Sequence, residues 1–170
     1  MVRDAQSFDE FYRSTARRML RYGYAVTGEH TEAQDLVQEA YARAWRQWGT
    51  LSAHPAPEAW LRLVVARLAT DRWRRLHRWR GVLSRTGPPA TTPPPSEDGV
   101  LLVRALRQLP SAQRQALALH YLFDMPVEEI ALETGVAVGT VKSWLSRGRA
   151  RLAALLPDLS TVELEANDVS

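Results

Sequence analysis

The 170-residue sequence predicts an all-α protein, built as two small helical domains joined by a Pro-rich linker. Three observations lead there. Apolar residues recur at helical spacing through most of the chain, and no stretch shows sustained strand-like alternation. Five of the ten prolines fall between Gly87 and Pro95. Proline lacks the amide donor and restricts its predecessor, so this stretch is neither helix nor central strand. Finally, the charge divides around the same place. Residues 1–80 carry 14 arginines and 9 acids, and residues 100–157 carry 7 bases and 4 acids.

The total charge of +3 therefore conceals a pattern. Two basic blocks, 1–80 and 98–157, flank a spacer over 81–97, and residues 158–170 hold four acids and no base. The spacer reads as an extended, partly polyproline-like segment; a surface loop inside one domain is the alternative. Lys142 is the only lysine, so the basic side is almost wholly arginine. The absence of cysteine excludes disulfides, thiolate zinc sites and thiol nucleophiles within this chain, and leaves a cytosolic compartment open. No apolar run of about 18 residues suggests a membrane span, and the polar stretch from Met1 to Glu10 lacks an apolar signal core.

Each element has its own signal. Ser7-Phe-Asp-Glu10 has the pattern of a capping box and is expected to open a helix carrying Phe8, Phe11, Tyr12, Met19 and Tyr22, which stops near Thr27-Gly28. Thr31-Glu-Ala-Gln34 is a second box. It leads into a helix whose Ala33, Leu36, Val37, Ala40, Tyr41, Ala44, Trp45 and Trp48 form one apolar stripe. Gly49 to Pro57, with two prolines, reads as a loop, and a third helix follows from about Glu58 to Arg80. Beyond the spacer, Ser96-Glu-Asp98 supplies a cap for a helix ending at Leu109-Pro110. Further helices run from Ser111 to about Tyr121, from Pro126 to Thr134 and from Val138 to Leu156, with Gly135 and Pro157 as stops.

The last two of these helices carry the strongest local pattern. Ile130 and Ala131 on a short helix, the turn at Gly135, then Val141 with Trp144 or Leu145 as anchors give helix-turn-helix spacing. In that motif the second helix enters the major groove N-terminus first. Thr140, Lys142, Ser143, Ser146, Arg147 and Arg149 are the candidate contacts, hydroxyls for phosphates and base edges, arginines for phosphate or guanine. A helical hairpin with a solvated basic face has the same spacing.

Asp71 to Arg80 packs five arginines and two tryptophans around one acid. Arginines neutralise phosphates and indoles stack on unpaired bases, although Trp73 also reads as a core residue at the end of its helix. Opposite the stripe of the second helix lie Asp35, Gln38, Glu39 and Arg43, on spacing alone a solvated face. The four histidines form no metal-ligand or catalytic array, and no nucleophile elbow or glycine-rich nucleotide loop is present. Neither an enzyme nor a cofactor is expected.

Taken in order, these blocks resemble the extracytoplasmic-function (ECF, group 4) sigma factors of RNA polymerase, over about residues 8–80 and 98–156. Asp35-Leu-Val-Gln-Glu-Ala-Tyr41 with Trp45 resembles region 2.2. That likeness implies docking of Asp35, Leu36, Gln38, Glu39, Tyr41 and Arg43 on the clamp helices of the β′ subunit. Ala59-Trp-Leu61 through Asp71-Arg-Trp-Arg-Arg75 resembles regions 2.3 and 2.4. It implies −10 recognition and melting by Arg67, Asp71, Arg72, Arg74, Arg75 and Arg78, with a base flipped near the Gly49–Pro57 loop. Leu109-Pro110 with Arg114, Glu129-Ile-Ala131 and Gly139 to Ser143 with Ser146-Arg147 resemble region 4. That implies −35 reading by Val138, Gly139, Thr140, Lys142, Ser143, Ser146, Arg147 and Arg149, and contact with the β flap.

The resemblance further implies a cytoplasmic protein that binds core RNA polymerase and promoter DNA without entering a membrane, and an anti-sigma protein is a further partner class of the family. Arg67 stands where these proteins often carry Asn, Trp144 where Arg is frequent and Gly148 where Ala is frequent. A stand-alone helix-turn-helix regulator is the alternative, and it requires tight autonomous binding to a palindrome as a dimer. A helical adaptor without DNA contacts is a third.

Overall fold

A computed structural model describes residues 2–80 and 97–156 of the chain. The described residues form eight helices and no strand, arranged in two compact units. The first unit holds α1 (Val2–Thr27), α2 (His30–Arg46), the single-turn α3 (Trp48–Leu51) and α4 (Pro57–Arg80). The second holds α5 (Glu97–Arg107), α6 (Ser111–Leu122), α7 (Val127–Thr134) and α8 (Val138–Leu155). The expected Ser96 cap, the Pro157 stop and the acidic tail lie outside the described residues. So does the expected linker, apart from Glu97, which opens α5.

Both capping boxes expected in the first unit are unused. Helix α1 begins at Val2 and runs straight through Ser7. The Ser7 hydroxyl donates to the Asp4 carbonyl at 3.1 Å and accepts from Trp48 Nε1 at 2.8 Å. Helix α2 begins at His30, ahead of Thr31, and Glu29 at its N-cap makes no side-chain cap bond. Thr27 organises that turn instead. Its hydroxyl donates to the Gly23 carbonyl at 2.8 Å and accepts from the Glu29 amide at 3.3 Å, while Gly28 takes the left-handed conformation at φ 78°.

Ala33, Leu36, Val37, Ala40, Tyr41 and Ala44 of α2 face the core. Trp45 departs from the expected stripe and is 48% exposed. Trp48 is buried, but as part of α3, which together with buried Leu51 shortens the expected loop to residues 52–56. Helix α1 adds Met19 and Tyr22, and α4 adds Leu61, Val64 and Val65. Helices α1 and α2 meet closely at Gly23, where a Cβ would lie 2.9 Å from Val37 Cγ2 and 3.4 Å from Ala33 Cβ. Helix α4 is tied in by Arg18–Glu58 at 2.7 Å and Arg72–Glu32 at 3.5 Å. Every residue from Asp71 to Arg78 is exposed, so Trp73, at 53% exposure, has no packing surface beneath it and does not belong to the core.

In the second unit α6 supplies the buried centre with Ala116, Leu117, Ala118 and Leu119. Val103, Ala105 and Leu106 of α5, Ile130 and Ala131 of α7, and Val141 and Leu145 of α8 complete the core. Leu145 is the anchor of α8, at 1% exposure, and Trp144 is only half-buried. Gly148 is buried against α6, where a Cβ would come within 2.8 Å of Leu117 Cδ1.

Candidate nucleic-acid interface

The turn between α7 and α8 is built from backbone. Gly135 ends α7 at φ 72°, a left-handed C-cap that glycine adopts without a Cβ penalty. Its amide and that of Val136 both donate to the Ala131 carbonyl, at 2.9 and 3.2 Å. Ala137 is extended, and its carbonyl accepts from the Thr140 and Val141 amides at 3.0 and 3.2 Å, which starts α8.

The buried set on α8 fixes what faces outward. With Val141, Leu145 and Gly148 inward, a rotation of about 100° per residue sets Gly139, Ser143, Ser146 and Ala150 along the middle of the outer face. Thr140 and Arg147 lie along one edge of that strip, Lys142 and Arg149 along the other. Exposure agrees: Gly139, Thr140, Lys142, Ser146 and Arg147 are exposed, and Val138, Ser143 and Arg149 are half-buried. Arg149 is braced, its Nε donating to the Leu145 carbonyl at 3.3 Å and its Nη1 to Tyr121 Oη at 3.5 Å. A strip of small and hydroxyl residues between cationic edges has the relief of a groove-binding helix. Short side chains can reach base edges while cations meet the phosphate walls.

On α4, the candidates Arg67, Asp71, Arg72, Arg74, Arg75 and Arg78 are all exposed. Trp73 stacks on His77 with ring centroids 4.0 Å apart, tilted by 48°. An exposed indole among arginines offers a stacking platform inside a cationic field. The exposed 52–56 loop before α4 is held by His54, whose Nδ1 accepts from the Ala56 amide at 3.0 Å.

On the outer side of α2, Asp35, Gln38 and Arg43 are exposed and Glu39 is half-buried. Arg43 Nε donates to Glu39 Oε1 at 2.8 Å, and this bond holds the Glu39 carboxyl below its ordinary value. Leu36 and Tyr41 are each only 5% exposed. Both were expected to touch the partner; in this structure their side chains fill the core beneath the face. The Tyr41 hydroxyl lies 2.7 Å from Thr15 Oγ1, and burial pushes it up to about 12.

Sequence reasoning missed an aromatic groove beside this face. Ala5, Phe8, Asp9, Tyr12 and Trp45 line an open cavity of about 480 Å³, with Phe8 and Trp45 ring centroids 5.0 Å apart. The available signal was position: Trp45 falls two turns after Gln38, on the same edge of α2. Among the described residues, no group of three or more His, Cys, Asp or Glu could hold a metal ion, and no helix is long and apolar enough to cross a membrane.

The comparisons with known proteins follow the two units. Residues 11–80 match the model of sigma-70 region 2, and residues 100–152 match that of sigma-70 region 4. The chain is 32% identical to an RNA polymerase sigma-E factor of Streptomyces coelicolor, over 85% of this chain and 83% of that one. It is 33% identical to the ECF RNA polymerase sigma factor SigM of Mycobacterium tuberculosis, over 93% of this chain and 81% of the relative. Among solved structures, the sigma factor RpoE of Bartonella quintana, crystallised with the anti-sigma factor NepR, matches with a TM-score of 0.78. That match has 24% identity and covers 90% of this chain and 98% of the other. Two region models in the right order and relatives matched over most of their length establish that the chain belongs to the ECF sigma factors of bacterial RNA polymerase.

Proposed function

We propose that this chain directs core RNA polymerase to its promoters with three separate surfaces. The outer face of α2, with Asp35, Gln38, Glu39 and Arg43, docks on the β′ clamp helices. Trp45 and the aromatic groove extend that face with apolar area. On α8, Val138 to Arg149 read the −35 element in the major groove. On α4, Arg67 and Asp71 to Arg78 hold the −10 non-template strand, with Trp73 stacking on an unpaired base and a flipped base received near the 52–56 loop.

The observation that carries this reading is the relief of α8, a small-residue strip edged by Lys142, Arg147 and Arg149. Gly139 supports it: a Cβ there would meet nothing within 4 Å, so packing does not require glycine, while close approach of a phosphate or base would. Unstacking each base step costs a few kcal/mol, which arginine and stacking contacts offset. Sigma factors are not enzymes, and this chain contributes binding and strand separation while the polymerase transfers the phosphoryl group. It therefore works where the polymerase works, in the cytoplasm. An anti-sigma protein that covers the α2 face is the partner class expected to restrain it.

Run-off transcription with purified core polymerase on a promoter library tests the proposal. It expects initiation at a defined set of sequences only when this chain is added. No added initiation, with no binding to core, removes it.

A further inference from the structure

The last turns of α4 stand clear of the core, yet they are not uniformly polar. A rotation of about 100° per residue sets Ala69, Trp73, Leu76 and His77 along one strip of the helix, with Arg72 on one side and Arg74 and Arg78 on the other. Trp73 and Leu76 are 53% and 49% exposed. Arg72 turns toward Glu32 of α2, 3.5 Å away, which leaves the edge with Arg74 and Arg78 as the more open cationic side.

Within this strip the two flat rings meet. His77 follows Trp73 by one helical turn, and side chains on a helix lean toward its N-terminus, so the imidazole comes back over the indole. Their centroids lie 4.0 Å apart at a tilt of 48°. Behind the indole, Ala69 and Thr70 are half-buried and short. The Thr70 hydroxyl is turned away into its own helix, donating to the Ala66 carbonyl at 2.9 Å. Nothing bulky on that side competes for the ring. The imidazole therefore covers part of the indole and limits its rotamers, while the rest stays open. An aromatic side chain already held in place loses less entropy when a ligand orders it.

From this geometry we infer that His77 is a positioning residue of the −10 interface. It stacks on Trp73 and holds the indole ready for an unpaired base, so that imidazole, indole and base form three layers. His77 acts through Trp73 and touches neither base nor phosphate. The inference rests on the reading of Trp73 as a stacking platform for the −10 strand.

A double-mutant cycle tests it. Holoenzyme carrying His77→Ala, His77→Phe, Trp73→Ala or both alanine changes is titrated against a labelled −10 non-template oligonucleotide, with anisotropy as the readout. His77→Ala is expected to weaken binding about fivefold, the scale of one aromatic pair. His77→Phe, which restores a flat ring without ring nitrogens, should bind within about twofold of the unaltered chain. In the Trp73→Ala background His77→Ala should add no further loss, because residues that act as a unit are not additive. The fivefold loss should also keep its size between about 50 and about 200 mM salt, since stacking releases no counterions.

Unchanged binding by His77→Ala overturns the inference. So does an equal loss in both backgrounds, which would place His77 on the strand itself. Failure of His77→Phe to rescue, or a loss that fades with salt, assigns the imidazole to a phosphate or a base edge and overturns it too. The underlying reading is judged separately. If Trp73→Ala weakens binding and His77→Ala does not, Trp73 keeps its role and the positioning role of His77 alone fails. If Trp73→Ala changes nothing, the stacking platform fails and the inference falls with it.

Discussion

The hydroxyls of Thr15 on α1 and Tyr41 on α2 lie 2.7 Å apart inside the first unit, a buried bond beneath the proposed polymerase-docking face. Burial raises Tyr41 from its ordinary value of 10.0 to about 12. The folded state therefore keeps the phenol protonated where the unfolded chain releases the proton. The stabilisation is complete below about pH 10 and is lost as pH rises toward 12. Urea unfolding between pH 8 and pH 11 should show stability falling above pH 10. Tyr41→Phe should flatten that fall, at a cost of about 1 kcal/mol at neutral pH from the lost hydrogen bond.

Gly23 fixes the closeness of α1 and α2. A Cβ at 2.9 Å from Val37 Cγ2 forces movement of a β-branched side chain with few rotamers to use. Gly23→Leu should destabilise the chain by about 1–3 kcal/mol through overpacking. Thermal or urea unfolding reads the effect, and because both helices shift, binding to core polymerase should weaken with it.

The α7–α8 turn depends on Gly135 at φ 72°. Gly135→Ala should cost about 1–2 kcal/mol, since a Cβ is disfavoured in the left-handed region. Leu145→Ala, at a site 1% exposed, should cost about 2–5 kcal/mol. Lys142→Ala should leave stability within about 0.5 kcal/mol, as exposed positions do. Unfolding curves for the three variants give the ranking.

Trp73 separates stability from function on α4. Because the indole is exposed and contacts His77 rather than the core, Trp73→Ala should change stability by less than about 0.5 kcal/mol. Holoenzyme binding to a −10 non-template oligonucleotide should weaken by about 1–3 kcal/mol, the worth of one stacked base. Fluorescence anisotropy with that strand measures it, and unchanged affinity would remove Trp73 from the interface.

Helical periodicity made the architecture legible. Ala33, Leu36, Val37, Ala40, Tyr41 and Ala44 lie inward as their spacing requires, and Gly28 and Gly135 both end helices in left-handed conformations. Local boundary signals were less informative where tertiary contacts compete. Ser7 has the right neighbours for a cap, yet its hydroxyl is claimed by Trp48, 41 positions away, and no local pattern encodes that bond. Trp45 and Trp73 illustrate the same limit, because spacing places an indole on a helix edge but does not say whether anything covers it. Leu36 and Tyr41 show the reverse: a motif can join surface and core residues in one string, and only burial separates them. The candidate surfaces on α4 and α8 were legible because exposed arginine has few structural reasons to cluster.

The central claim is that polymerase docking and −35 reading sit on different helices of this one chain. Run-off transcription from paired promoters, with and without a −35 element, tests it using holoenzymes reconstituted at limiting and saturating chain concentration. Asp35→Arg with Glu39→Arg should abolish transcription at limiting concentration, recover at saturation and preserve the preference for the intact promoter. Lys142→Glu with Arg147→Glu should bind core normally and lose that preference at every concentration. The two defects exchanged, or both pairs failing identically on folded protein, would contradict the assignment.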